Sequence, residues 1–211
     1  AGLVTSAADG SATITATSGS VNQTAAVTVS QAAATVTLAP TSLSFTSFSD
    51  TPTLVPTVKD AVGNTMSGAT VTWATSASSI ATVSSAGLAT SVADGNATIT
   101  ATSGSVNQTA AVTVSQAAAS VTLSPTSLSF TSFGDTTTLV ATVKDANDNA
   151  IPSPTVTWAT SADGVATVST AGLVTAIADG TATITATSGS ISATVTATVS
   201  QVAASVTLAP T

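Results

Sequence analysis

The sequence has no cysteine, histidine or tyrosine, and it carries two basic residues. Without cysteine there are no disulfides, and without cysteine or histidine the commonest metal ligands, nucleophiles and general bases are missing. Two lysines are too few to neutralise a phosphate backbone, so nucleic-acid binding is excluded. Charged residues make up 5% of the chain, against about 25% in an ordinary soluble domain. We therefore expect no catalytic residue and no cofactor.

Long apolar runs are also missing, although 43% of the residues are hydrophobic and the mean hydropathy is +0.52. Apolar residues alternate with Thr and Ser, and no run approaches the roughly 18 apolar residues that a membrane-spanning helix needs. No basic stretch followed by an apolar one stands at the start, so no signal peptide is visible there. We expect no membrane insertion by this segment.

An internal repeat organises the chain. Trp73 recurs as Trp158, and Ser115-Gln116 recurs as Ser200-Gln201, each 85 residues later. The repeat predicts the C-terminal part of one unit, two complete units and the first strand of a further unit, namely residues 1–32, 33–117, 118–202 and 203–211. The sequence therefore has the organisation expected of a window from a longer array.

Within each unit the apolar period is two, and Val, Ile and Thr dominate, as is typical of half-buried strands. Turn-forming residues separate the alternating segments. Seven or eight short strands in about 85 residues predict an antiparallel β-sandwich with essentially no helix. In the first complete unit we expect strands within residues 35–38, 42–46, 53–59, 70–75, 80–83, 88–92, 96–103 and 109–115. The expected core comprises Leu54, Val58, Val71, Trp73, Val83, Leu88, Ile99 and Val114, with their counterparts 85 residues later.

Several segments resemble the bacterial immunoglobulin-like group 2 repeat. They include VTLAPTSLSF at 36–45, TLVATVKDANDNA at 138–150, TVTWATS at 155–161 and VATVSTAGLVTAIADGTATITATS at 165–188. The resemblance implies tandem immunoglobulin-like sandwiches in a linear array, without the immunoglobulin disulfide and without catalytic residues. Domains of this kind serve as stalk modules in surface proteins, including intimin-like and invasin-like adhesins, and as modules appended to phage virion proteins.

Trp73 and Trp158 each lie on the third predicted strand of a unit. Val71 and Val156 precede them by two residues, on the same strand face. A Trp at this position is the expected core anchor of an immunoglobulin-like sandwich. A platform on which sugars stack is the functional alternative.

A run of Asp and Asn follows the second predicted strand of the second complete unit. Asp145, Asn147, Asp148 and Asn149 offer the oxygen ligands that calcium prefers, and the run is similar to the calcium motif of cadherin linkers. However, it lies inside a unit, and its counterpart at 60–64 lacks one acid and one amide. A turn held by Asx hydrogen bonds is the alternative interpretation.

Each complete unit has a single lysine, Lys59 or Lys144, at the same position. An isopeptide cross-link to Asn would require this lysine to be buried beside an acid. Its place at a strand end favours a solvated side chain.

Asn22, Asn96 and Asn107 stand in Asn-x-Thr sequons, which suggest glycosylation of a surface protein. Thr is abundant in this sequence, so such matches also arise by chance. Thr also suits the outward face of a strand.

These observations leave three functional hypotheses. The chain is a stalk spacer of a cell-surface adhesin, a unit of a self-assembled extracellular filament, or a virion-associated module of a phage with weak carbohydrate binding. The expected location is extracellular, at the cell surface, with the virion surface as the alternative. The expected partners are other copies of the chain, along or beside the fibre.

Overall fold

The computed structural model describes residues 2–208, and within them it contains strands and turns but no helix. Consequently no helix in this range is long and apolar enough to span a bilayer. The all-β fold class predicted from the period-two pattern is confirmed.

The strands follow the repeat. A hairpin comes first, formed by β1 (Gly10–Ser18) and β2 (Val21–Val29). The first complete repeat contains β3 (Thr35–Ala39), β4 (Ser42–Phe45), β5 (Val55–Lys59), β6 (Thr72–Thr75), β7 (Ala81–Val83), β8 (Ala89–Ser91), β9 (Gly95–Ser103) and β10 (Val106–Val114). The second contains β11 (Ser120–Ser124), β12 (Ser127–Phe130), β13 (Thr136–Thr138), β14 (Val140–Lys144), β15 (Thr157–Thr160), β16 (Ala166–Val168), β17 (Leu173–Ala176), β18 (Gly180–Ser188) and β19 (Ile191–Val199).

Both repeats use the same sheet order. In the first repeat a four-stranded sheet runs β4-β10-β9-β6, beside the pairs β3-β5 and β7-β8. In the second repeat the four-stranded sheet runs β12-β19-β18-β15, beside the pair β11-β14 and the sheet β13-β17-β16. Pro56 lies in β5, whose two-stranded sheet leaves it at an edge, as expected for a residue without an N–H.

The second repeat departs in one respect from the expected antiparallel arrangement. β12 pairs with β19 in parallel, from Ser127 opposite Thr196 to Phe130 opposite Val199. The first strand segment of the repeat, β11, pairs antiparallel with β14. The chain then continues into β12 beside β19, so the opening segment of the repeat contributes to two different sheets.

Alternation places the apolar residues of the strands inside each sandwich. In the second repeat, one cluster of buried residues joins Leu128, Phe130, Leu139, Val174, Ile184, Val195 and Val199 with several alanines. The corresponding residues of the first repeat, including Leu54, Val58, Ile99 and Val114, are buried as predicted. Val71, Trp73 and Val83 are half-buried.

The prediction that Leu88 belongs to the core is wrong, since its side chain is 37% exposed. The tight turn before it sets the strand register: Gly87 N donates to Ser84 O at 3.0 Å, and Leu88 N donates to Ser84 Oγ at 3.1 Å. Gly87 therefore takes the inward position against Trp73, which turns Leu88 outward. Its counterpart Leu173 is exposed for the same reason.

The described residues form two compact units that do not coincide with the repeats. The first unit comprises residues 2–43, Thr51–Thr90 and Asn96–Val112. The second comprises Ser44–Asp50, Ser91–Gly95 and residues 113–208. The second unit thus joins the whole second repeat to the 46–50 loop and the 91–95 turn of the first.

Candidate functional site

Asp145 is a buried carboxylate, 2% exposed, at the end of β14. Its Oδ1 accepts hydrogen bonds from the backbone N–H groups of Asn147 and Asn149, both at 2.9 Å. The Asp145 N–H in turn donates to Asn149 O at 2.9 Å. These bonds form an Asx-type turn, which contains Asp148 in the left-handed conformation at φ 63°, a region that Asp tolerates.

The second oxygen of Asp145 binds groups that are distant in sequence. Oδ2 accepts hydrogen bonds from Phe48 N and from Gln116 Nε2, both at 2.9 Å. All of these residues lie in the second compact unit. The carboxylate therefore fastens the 46–50 loop and the end of the first repeat, at Gln116, to a single point.

Burial by itself raises the pKa of Asp145, because it disfavours the charged form. Hydrogen bonds from the Gln116 side chain and from the N–H groups of Phe48, Asn149 and Asn147 outweigh burial and lower the pKa from 3.8 to about 2. Asp145 is therefore ionised across the physiological pH range.

Asp60 forms the equivalent turn in the first repeat. Its carboxylate accepts hydrogen bonds from Gln31 Nε2 at 2.9 Å, from Val62 N at 3.0 Å and from Asn64 N at 2.8 Å. Burial opposes the shift, but the bonds from Asn64, Gln31 and Val62 lower the pKa of Asp60. The pairing of a Gln amide with this turn thus recurs in both repeats.

Acid is expected to detach the 46–50 loop. The folded-state pKa of Asp145 lies below its ordinary value of 3.8, at about 2. The ionised carboxylate therefore stabilises the fold at pH values above its ordinary pKa. This stabilisation is lost as the pH falls through the pKa of the folded state. Carboxyl ¹³C NMR should show Asp145 titrating near pH 2, with loss of Phe48 amide protection at the same midpoint. An Asp145→Asn variant should lack this transition, and a midpoint near 3.8 would contradict the assignment.

The calcium hypothesis concerned Asp145, Asn147, Asp148 and Asn149. Both oxygens of Asp145 accept hydrogen bonds, and the amide nitrogens of Asn147 and Asn149 donate to Phe48 O at 2.8 and 3.1 Å. Across residues 2–208 no group of three or more acidic side chains is arranged to hold a metal ion. These contacts match the Asx-turn interpretation, and calcium binding stays an untested prediction.

Neither lysine is buried. The side chain of Lys144 is 42% exposed, and its Nζ lies 3.7 Å from Asp148 Oδ1. Lys59 is exposed as well. This placement matches the expectation of a solvated side chain.

Trp73 and Trp158 lie on β6 and β15, and both rings are half-buried. Trp158 packs against the buried cluster of the second repeat. A Cβ atom at Gly87 would lie 2.8 Å from Trp73 Cζ2, and one at Gly172 would lie 3.0 Å from Trp158 Cζ2. Each ring therefore covers a glycine, an arrangement that fits a packing role.

The three sequon asparagines lie on strands and are exposed: Asn22 on β2, Asn96 on β9 and Asn107 on β10. Their accessibility is compatible with glycosylation, which stays a prediction.

The outer side of the four-stranded sheet carries a regular array of hydroxyl groups. In the second repeat we define the threonine face as Thr157, Thr181, Thr183, Thr185, Thr187, Thr194, Thr196 and Thr198, with Ser127, Ser129, Ser192 and Ala159. No charged residue occurs in the four strands that form it. In the first repeat, Thr98, Thr100 and Thr102 continue the pattern on β9, where Thr72 lies opposite Thr102.

Sequence reasoning identified the turn at 145–149 but missed its partner loop. Phe48 and Asp145 are 97 residues apart, so no local pattern connects them. One signal was available, because an Asp with an Asn four residues later, and a Gln 29 residues before that Asp, occur in both repeats.

The comparisons with known proteins agree with this architecture. The family model of the bacterial Ig-like domain (group 2) matches residues 32–114 and 117–199. Ice-binding protein 1 of Shewanella frigidimarina (strain NCIMB 400) is 35% identical over 126 residues, which is 59% of this chain and 14% of that protein. The chain thus spans about a seventh of the relative that it matches.

Several solved structures are similar to this chain at low sequence identity. The surface layer protein SbsC, domains 1–6, is 24% identical with a TM-score of 0.41, covering 92% of this chain and 32% of that one. The Escherichia coli adhesin FdeC is 19% identical with a TM-score of 0.41, covering 84% and 68%. The Yersinia pseudotuberculosis adhesin InvE is 18% identical with a TM-score of 0.40, covering 78% and 58%. Because the two matches of the family model together cover most of the chain, the protein belongs to the bacterial immunoglobulin-like group 2 family, with two of its domains in tandem.

Proposed function

We propose that the chain is a non-enzymatic structural segment of an extracellular surface protein or fibre, in which the repeats supply length and lateral contact. The observation that carries the proposal is the threonine face, which both of the tandem repeats present without a charged side chain. An exposed sheet normally carries charges that keep it from associating. Thr and Ser can instead be covered by a neighbour at little desolvation cost.

The chemistry of the side chains supports the non-enzymatic part of the proposal. The buried carboxylate of Asp145 is held by hydrogen-bond donors and is ionised at neutral pH because its pKa is about 2. General acid–base catalysis instead needs a group whose pKa lies near the working pH. Ser and Thr hydroxyls need an adjacent base to become nucleophiles, and the sequence contains no histidine.

The location is testable on intact cells. The segment itself should be labelled as strongly in intact cells as in lysed cells. The label can be an antibody against the segment or a membrane-impermeant reagent that modifies the amines of Lys59 and Lys144. Labelling that appears after lysis alone would overturn an extracellular role. Labelling confined to virus particles would support the virion-module hypothesis instead.

Lateral contact is testable by adding one charge to the threonine face. Thr183 is exposed on β18 opposite Thr196, so Thr183→Lys should change the free energy of unfolding by no more than about 0.5 kcal/mol. In a lateral contact, however, the ammonium group would be desolvated without a partner. We expect the concentration needed for assembly to rise at least about tenfold, which corresponds to about 1.4 kcal/mol. Sedimentation and negative-stain microscopy would measure it.

Thr142→Lys is the matched control, because Thr142 is exposed on β14 in the other sheet. It adds the same charge outside the threonine face. If both variants assemble like the parent protein, lateral packing is not the mechanism and the stalk-spacer hypothesis remains.

A further inference from the structure

The same loop occurs twice in the chain, in two different environments. Residues 46–50 read TSFSD and residues 131–135 read TSFGD. In the first loop Ser47 is 3% exposed and Phe48 is half-buried. In the second loop Ser132 is exposed and Phe133 is 44% exposed.

The turn at 145–149 is what covers the 46–50 loop. Phe48 N donates to Asp145 Oδ2 at 2.9 Å, and Asn147 Nδ2 and Asn149 Nδ2 donate to Phe48 O. Ala146 N donates to Ser47 Oγ at 3.3 Å. Both polar groups of the Phe48 backbone are therefore bonded to a turn that lies 97 residues further along the chain.

Asp50 completes the contact. Its Oδ1 accepts a hydrogen bond from Asn147 Nδ2 at 2.8 Å. In the second loop the equivalent Asp135 accepts a bond from Ser132 N of its own loop at 3.0 Å. In the covered loop the Asp50 carboxylate therefore binds the 145–149 turn, whereas in the exposed loop the Asp135 carboxylate binds its own loop.

The surroundings of the exposed loop are already arranged as they are at the covered one. Gln116 N donates to Asp94 Oδ1 at 2.8 Å, and Gln201 N donates to Asp179 Oδ1 at 2.7 Å. In the first case the Gln side chain continues to Asp145, whereas the side chain of Gln201 is exposed. The backbone of Gln116 and the backbone of Gln201 are therefore held in the same way, by an Asp carboxylate.

We propose that the 131–135 loop and Gln201 form a docking surface for the Asp-x-x-x-Asn turn of another repeat of this type. The occupant that we infer is a further copy of this repeat, since residues 203–211 match 118–126 at every position except 209. The chemistry that the surface recognises is a turn whose carboxylate accepts bonds from Phe133 N and Gln201 Nε2, and whose Asn donates to Phe133 O.

The two turns in the chain share part of this arrangement. Asp60 and Asn64 match Asp145 and Asn149, but Val62 stands where Asn147 donates two hydrogen bonds. The carboxylate and the last amide are therefore the common elements, and the amide at the third position strengthens the contact when it is present.

The proposal rests on the proposed function, because docking of successive repeats has meaning in a tandem structural array. The two fail separately. An intracellular location would overturn the extracellular role and leave the docking surface standing, whereas the exchange measurements below test the docking surface alone.

The first measurement uses the 211-residue chain and amide hydrogen exchange followed by NMR. Asp145→Ala should raise the exchange rate of the Phe48 amide at least about tenfold, because that N–H loses its acceptor. Asp60→Ala is the matched control, since it removes the equivalent carboxylate from a turn that does not bond Phe48. It should leave the Phe48 amide unchanged. If Asp145→Ala also leaves it unchanged, the turn does not hold the loop and the proposal is overturned.

The second measurement uses the full chain continued after Thr211 by a further copy of residues 127–202, which completes another repeat. We expect the Phe133 amide to exchange at least about tenfold more slowly than in the 211-residue chain. An Asp145→Ala substitution made in the added copy should restore the faster rate. An added copy that folds and leaves Phe133 unprotected would refute the docking surface. Failure of the added copy to fold would also count against it, because a sequence that differs only at position 209 forms the second repeat.

Discussion

Replacing Gly87 by alanine is expected to destabilise the first repeat by about 4 kcal/mol, the sum of backbone strain and overpacking. Gly87 has φ +79°, and a Cβ atom there would lie 2.5 Å from Leu54 O and 2.8 Å from Trp73 Cζ2. The backbone oxygen cannot move without disturbing the strands on either side, and the indole ring is held by the core. Urea unfolding followed by circular dichroism and Trp fluorescence would measure the loss.

Gly63→Ala separates the two contributions to this effect. Gly63 also has a positive φ, +90°, but a Cβ atom there would meet nothing within 4 Å. Its cost should therefore be the left-handed strain alone, about 1–2 kcal/mol. Equal losses for the two variants would mean that the close contact with Leu54 and Trp73 does not determine the stability.

Truncating Ile99 to alanine is expected to cost about 2–5 kcal/mol, as for other large-to-small substitutions in protein cores. Ile99 is 0% exposed on β9, so its removal leaves a cavity in the first sandwich. Ile184→Ala should behave alike, because Ile184 is buried at the same position of the second repeat. Thermal and urea unfolding of the variants would give the values.

Ile14→Ala is the matched control, since Ile14 occupies the same position of the β1–β2 hairpin in a nearly identical sequence. Ile14 is 38% exposed, and its truncation should change the stability by no more than about 0.5 kcal/mol. A cost similar to that of Ile99→Ala would show that the hairpin is covered in solution.

The alternation of apolar and polar residues was sufficient to predict where the strands lie. The alternation at 96–103 predicts β9, which is observed at Gly95–Ser103, because a strand with one buried face must alternate. The same rule wrongly predicted a buried Leu88, because the turn that ends at Gly87 shifts the register of the strand by one residue. The parallel pairing of β12 with β19 was also out of reach, because alternation indicates which face of a strand is buried and not the direction of its neighbour.

The site was predictable in part. The residues at 145–149 indicate a turn, and the structure contains the expected Asx hydrogen bonds. The long-range role of Asp145 was not predictable, because the burial of a carboxylate depends on donors that tertiary structure brings from elsewhere. Phe48 supplies a backbone N–H, a group that every residue except proline carries and that leaves no mark in a sequence.

The parallel pair β12–β19 has a mechanical consequence. β12 lies near the start of the second repeat, directly after β11, and β19 closes the repeat; the register of the pair runs from Ser127–Thr196 to Phe130–Val199. Tension on the two ends of the repeat pulls these neighbouring strands in opposite directions along their length. Their hydrogen bonds are then loaded in shear and must break together. When the force instead separates two strands from one end, the bonds break one at a time. Resistance to such a force is set by the rate of unfolding, so a repeat of modest equilibrium stability can still bear load when it is stretched end to end.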